Sequence, residues 1–178
     1  MMQFDFQQDF FSLFTLPARF QIDSTALEQS YRALQAQVHP DKFAHLTEAE
    51  KRLSIQWATR VNEGYQTLRN PLNRARYLLS LHSVDTQEES NTSMPTDFLM
   101  QQMEWREALE EAVQARDADE LEKLEARVQH EVRFLQQQLA VDLDDTHDFA
   151  AASGIVRKLK FLEKLAEEIG SAFDELDS

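Results

Sequence analysis

Cysteine is absent from the 178 residues, which excludes disulfides, thiolate-bound zinc, cysteine-ligated iron–sulfur clusters and a cysteine nucleophile. Turn-forming residues are scarce too: three glycines and four prolines leave few places to break a helix. With Gln, Glu, Leu, Ala and Arg abundant, a nearly all-α protein is expected. No run approaches the roughly 18 consecutive apolar residues of a membrane span. The opening MMQFDFQQDF carries neither the basic stretch nor the small-residue cleavage site of a signal peptide. A cytoplasmic location without membrane attachment is therefore expected. Positive charge is also in short supply. Eighteen Lys and Arg against 32 Asp and Glu give a formal net charge of −14, which repels a phosphate backbone and argues against nucleic-acid binding. No cofactor is expected, and any link to metal chemistry has to run through a partner.

What the chain does have is helical periodicity in two blocks separated by one polar stretch. Phe10, Phe11, Leu13 and Phe14 form an apolar cluster stopped by Pro17. Asp23 is a natural N-cap for a helix whose stripe is Leu27, Tyr31, Leu34 and Val38, and Pro40 forces that helix to end near His39. Thr47 with Glu50 makes a capping box for a longer helix expected to bury Leu53, Trp57, Val61 and Leu68. Two such helices with a short connection pack most simply as an antiparallel hairpin. Pro71 opens a further helical run, PLNRARYLLSL, after which HSVDTQEESNTSMP loses periodicity. The last block implies three helices. The second starts at an Asp117/Glu120 capping box and carries Leu121, Leu124, Val128, Val132, Leu135 and Leu139; the third carries Ile155, Leu159, Leu162, Ala166, Ile169 and Phe173. The expected architecture is an elongated pair of modules: a helical hairpin unit over residues 1–82, a linker over 83–95 and a three-helix bundle over 96–178.

Between the two hairpin helices lies His39-Pro40-Asp41, followed by Lys42 and Phe43. The proline-closed turn would hold an imidazole and a carboxylate in fixed directions at the tip of a rigid hairpin, an arrangement suited to docking. An aspartate there can make a charge-assisted contact to a partner arginine. The plain alternative is that His39 ends one helix and Asp41 caps the next turn. A hydrolase pair built on His39 and Asp41 lacks any companion nucleophile or metal cluster at a recognisable spacing. The segment VHPDKF, with a Tyr-containing amphipathic helix before it and a helix ending NEGYQTLRNP after it, resembles the J-domain family. That resemblance implies that His39, Pro40, Asp41 and Lys42, with Arg32 from the preceding helix, engage a DnaK-type ATPase and stimulate its hydrolysis of ATP. The sequence departs from many J-domains in one respect. SYRALQAQV supplies only Arg32 as a cation before Lys42, so Arg60 and Arg69 on the next helix are further candidates for docking charge.

The helix beginning at Thr96 carries a second signal. Winding it at about 100° per residue puts Phe98, Trp105, Leu109 and Ala112 on the core face and leaves Leu99, Met100 and Met103 on the opposite side, beside Glu104 and Glu107. Such a face either packs on the rest of the chain or binds a partner through adaptable methionines and a carboxylate rim. Phe161 falls off the stripe of its own helix and could border the same patch. Together LFTLPARFQID, VHPDKF, TLRNPLNRARYLLSLH, FLMQQMEWREALEE and VRKLKFLEKL resemble the HscB family of iron–sulfur co-chaperones along essentially the whole chain. The resemblance implies a non-catalytic adaptor, monomeric in this reading, with two partners. Leu99, Met100, Met103, Glu104, Glu107, Glu111 and Phe161 would bind the cluster scaffold IscU, and the His39-Pro40-Asp41 turn would dock on the DnaK-type chaperone HscA.

Overall fold

The computed structural model describes residues 5–43 and 45–178, apart from the side chains of Pro40 and Phe43. Among the described residues there are seven α-helices and no strand: α1 (Phe10–Leu13), α2 (Ser24–Val38), α3 (Glu48–Arg69), α4 (Pro71–Leu81), α5 (Thr96–Ala115), α6 (Ala118–Ala140) and α7 (Phe149–Asp177). A 3₁₀ turn spans Pro40–Phe43 and a π-helical turn spans Val141–Asp145. The all-α expectation is met. The chain divides into two compact units, Met1–Leu81 and His82–Ser178.

Side chains mark most of the helix starts. Asp9, Asp23, Asp117 and Asp148 each accept a hydrogen bond from an amide two or three residues on, and Thr47 with Glu50 forms a reciprocal capping box. Each cap satisfies amides that have no intrahelical partner, worth about 1 kcal/mol. At Asp117 the Glu120 carboxylate pairs with Lys123 at 2.9 Å instead of reaching back to complete a box. Arg116 ends α5 in the left-handed region at φ 51°, its amide closing onto the carbonyls of Ala112 and Val113.

In the first unit α2 and α3 pack together, burying Leu27 and Val38 from one and Trp57, Val61 and Leu68 from the other. Tyr31 stacks on Tyr65 with ring centroids 3.9 Å apart, and its hydroxyl donates to Asn62 Oδ1 at 2.8 Å. Leu53, expected in this core, is exposed, and Ser54 is buried in its stead. The buried line of α3 runs Ser54, Trp57, Val61, Gly64, Leu68, in steps of three and four, which leaves Leu53 about 100° off. Ser54 tolerates burial because its hydroxyl donates to the Lys51 carbonyl at 2.8 Å. Arg74, almost fully buried, joins α4 to the chain before α2: its Nε donates to the Phe20 carbonyl at 2.5 Å and its Nη1 to the Leu68 carbonyl at 2.7 Å.

The second unit packs α5, α6 and α7 as a bundle, with Leu121, Leu124, Val128, Leu135 and Leu139 of α6 buried. On α7 the buried residues are Ala152, Ser153, Val156, Leu159, Leu162, Leu165, Ile169 and Ala172; Ala166 is exposed, and Ile155 and Phe173 are half-buried. The stripe expected there is thus partly corrected. α7 packs against α6, α5 and the π-turn, so it buries a wider arc than a single seam. Residues 83–95 carry no regular element; they are tied to α7 by Arg157 Nη1, which donates to the Thr86 carbonyl at 3.0 Å, and by a side-chain ion pair of Lys160 with Glu89 at 2.7 Å.

Gly64 shows how closely α1 sits on α3. A Cβ there would lie 2.9 Å from both Phe10 Cδ1 and Phe14 Cε2. Neither ring can retreat: Phe14 is fully buried, and Phe10 is stacked on Tyr77 with the Arg60 guanidinium 4.9 Å above its centroid. Gly64→Ala gains about 0.5–1 kcal/mol of helix propensity but incurs an overpacking cost of about 1–3 kcal/mol. A lower melting temperature is expected for this variant; an unchanged or higher one would show that α1 is not clamped on the hairpin.

Candidate functional site

The turn joining α2 to α3 presents the first group of residues. His39 leaves α2 with φ −60° and ψ 132°, and the Lys42 amide donates to the His39 carbonyl at 3.0 Å, closing the 3₁₀ turn. The Asp41 amide donates to His39 Nδ1 at 3.3 Å, whereas Asp41 Oδ2 lies 3.5 Å from the same nitrogen. The amide contact is the hydrogen bond of the two, since 3.5 Å is too long for a charge-assisted bond. In the neutral ring it puts the proton on Nε2, leaving that nitrogen as the donor. The Asp41 side chain is 92% exposed and has acceptor capacity to spare. Lys42 is exposed as well, and the Pro40 side chain lies outside the described residues.

Among the cations proposed for docking, Arg32 is exposed but pairs with Glu28 one turn earlier on its own helix, at 2.5 Å. Arg60 points elsewhere. Its Nη2 donates to the Gln8 carbonyl at 2.5 Å and its guanidinium covers Phe10, so it fastens the amino-terminal segment to α3. Arg69 is exposed and its guanidinium lies 5.6 Å from the Tyr65 ring centroid, on the hairpin's stacked tyrosines. Arg32, Lys42 and Arg69 thus remain the exposed cationic groups of this set, Arg32 with Glu28 already beside it. Among the described residues no group of three or more His, Asp or Glu could hold a metal ion.

A second site lies in the bundle. Leu99 is 45% exposed, Met100 58%, Met103 70% and Phe161 37%, while Phe98, Trp105, Leu109 and Ala112 are buried. The three on α5 stand apart from its core face, as winding at about 100° per residue requires, and Phe161 comes from α7. Leu99, Met103 and Phe161 line one cleft of about 310 Å³ together with Met94, Phe98, Gln102 and Arg106. Met100 is not in that lining. It heads a row with Glu104, Glu107 and Glu111 on the same helix, spaced by four, three and four residues, and all three carboxylates are exposed. Arg106 Nη1 donates to Glu168 Oε2 at 2.7 Å, which fixes α5 to α7 at the cleft wall. Lys158 Nζ lies 5.6 Å from the Phe98 ring centroid.

Met94, Gln102 and Arg106 are members of this cleft that inspection of the sequence did not single out. Gln102 had a visible signal: Phe98, Gln102, Trp105 and Leu109 are spaced by four, three and four residues, so a carboxamide stands at a core step. Met94 precedes the helix, where periodicity says nothing.

Comparisons with known proteins cover nearly the whole chain. Residues 94–170 match the family model described as the HSCB C-terminal oligomerisation domain. A co-chaperone protein HscB homolog of Aromatoleum aromaticum is 55% identical over 99% of this chain and 100% of its own length, and one of Chromobacterium violaceum is 58% identical over 98% and 99%. Among solved structures, chaperone HscB from Vibrio cholerae superposes with a TM-score of 0.83 at 38% identity, covering 95% of this chain and 99% of that one. The human co-chaperone protein HscB gives a TM-score of 0.87 at 31% identity, covering 93% and 82%. With both units matched at such identity, the chain belongs to the HscB family of co-chaperones.

Proposed function

We propose that this chain is a non-catalytic J-domain co-chaperone of iron–sulfur protein maturation in the cytoplasm, which binds the scaffold IscU, delivers it to the DnaK-type chaperone HscA and stimulates that chaperone's ATPase. The observation that supports this most directly is that one chain carries two exposed sites of different chemistry. One is the His39-Pro40-Asp41 turn, polar and held by its own hydrogen bonds; the other is the apolar cleft of α5 and α7 with its row of carboxylates. The chaperone-binding set is His39, Pro40, Asp41 and Lys42, with Arg32 beside them. The scaffold-binding set is Leu99, Met100, Met103, Glu104, Glu107, Glu111 and Phe161.

The chemistry of each site suits its role. A freely exposed Asp41 carboxylate can accept a bidentate contact from an arginine of the chaperone, which fixes orientation as well as adding energy. At the other site, methionine and leucine side chains give adaptable contact area, and the carboxylates select a basic surface. Binding the scaffold on the same chain that docks on the chaperone makes the second encounter intramolecular and raises its effective concentration. One copy suffices for delivery, since both sites lie on one chain, and a monomer is the proposed working form. No helix among the described residues is long and apolar enough to cross a membrane.

The steady-state ATPase rate of HscA, measured with this protein, with IscU and with both, tests the reading. Synergy is expected, and His39→Gln should abolish the chain's own stimulation while leaving IscU binding intact. Stimulation without synergy would mean a different client. Loss of IscU binding in His39→Gln would make the histidine a structural residue. In the bundle, Leu99→Ala combined with Met103→Ala should weaken IscU binding by about 2 kcal/mol or more, as for central anchors, without a large fall in melting temperature. A large fall would place these side chains in the core instead.

A further inference from the structure

Gln102 is 7% exposed, and neither its Nε2 nor its Oε1 has a hydrogen-bond partner. An unpaired buried carboxamide costs about 1–3 kcal/mol for each group left unsatisfied, and an apolar residue of the same length would be the stabilising choice at this core step. The amide belongs to the lining of the cleft formed by Met94, Leu99, Met103 and Phe161. Its two polar atoms are covered in the free protein. Met103, which lines the same cleft, is 70% exposed, and methionine has three rotatable side-chain bonds, so the cleft wall can rearrange.

Building on the proposed scaffold-binding role of this face, we infer that the Gln102 carboxamide is a recognition group for the main chain of the bound partner. The occupant is a short extended stretch of the scaffold that seats one apolar side chain between Leu99, Met103 and Phe161 and carries Lys or Arg on its flank. An amide presents a donor and an acceptor side by side, which matches the N–H and C=O of one extended residue. An apolar side chain alone would leave the carboxamide unpaired. Arg106, the charged group in the lining, is already paired with Glu168 and so offers little to a charged side chain, whereas the carboxylates of Glu104, Glu107 and Glu111 are exposed on the same helix to meet basic flanking residues. Binding displaces Met103, uncovers Gln102 and satisfies it, so part of the affinity comes from relieving a strain that the free bundle carries. Side-chain rearrangement of this size is common at interfaces.

Gln102→Met, which keeps chain length and removes the polar atoms, separates this role from a packing role. The expected result is an unchanged or higher melting temperature together with IscU binding weakened by about tenfold to a hundredfold, the range for losing buried hydrogen bonds. Gln102→Leu should behave in the same direction. Affinity retained in both variants, or a large fall in melting temperature in both, overturns the inference. Leu99→Ala measured alongside tells the two levels apart. Weakening by Leu99→Ala but not by Gln102→Met sinks the role of Gln102 alone, and no weakening by either sinks the scaffold-binding reading beneath it.

Discussion

Because this chain has no cysteine to cross-link it and, among its described residues, no cluster of metal ligands, its helices hold together by burying one apolar face each. A fully buried leucine contributes about 1.5–3 kcal/mol, and Leu27, Leu68, Leu79, Leu121, Leu124, Leu139, Leu162 and Leu165 all reach that state. The constraint has a corollary for function. A helix that must spend its stripe on the core has no structural use for large apolar groups on its other side. Leu99, Met100 and Met103 are such groups, and their exposure is what marks α5 as a candidate binding surface.

The two sites follow from the same constraint in different ways. In the first unit, packing of α2 on α3 fixes where the connecting turn lies, and the turn then secures itself with bonds from the Lys42 amide to the His39 carbonyl and from the Asp41 amide to the imidazole. Farther along the hairpin the same unit is stiffened by stacked Tyr31 and Tyr65, by the Phe10 and Phe14 rings seated on Gly64, and by Arg74 bonded to two main-chain carbonyls. In the second unit the Arg106–Glu168 ion pair fixes α5 on α7, and their junction is the cleft. A stiff turn presents a fixed hydrogen-bonding pattern, and a cleft walled by methionine adapts to what enters it.

Much of this was legible from residue spacing. Helix starts followed from Asp23, Thr47 and Asp117, the end of α2 from Pro40, and the core face of α5 from Phe98, Trp105, Leu109 and Ala112. What spacing missed has physical causes. Leu53 and Ser54 are neighbours about 100° apart, and hydrophobicity favours the leucine for the core; the serine takes the place because its hydroxyl finds the Lys51 carbonyl. The α7 stripe shifts because that helix meets several neighbours at once, which no single-helix pattern records. Arg60 is taken up by the Gln8 carbonyl and Phe10, both far away in sequence, so its charge serves the fold and spacing alone does not show it. At Gln102 a polar side chain stands on a core step, where hydrophobic periodicity does not register it.

The central claim is that chaperone docking and scaffold capture must reside on one molecule for delivery to occur. It is tested most directly by mixing His39→Gln with the Leu99→Ala/Met103→Ala variant in a single HscA ATPase assay containing IscU. Each variant retains the site that the other lacks. Tethering predicts that the mixture fails to restore the synergistic rate given by the unaltered chain. Restoration of that rate by the two defective chains together would contradict it, since the sites would then act without being joined.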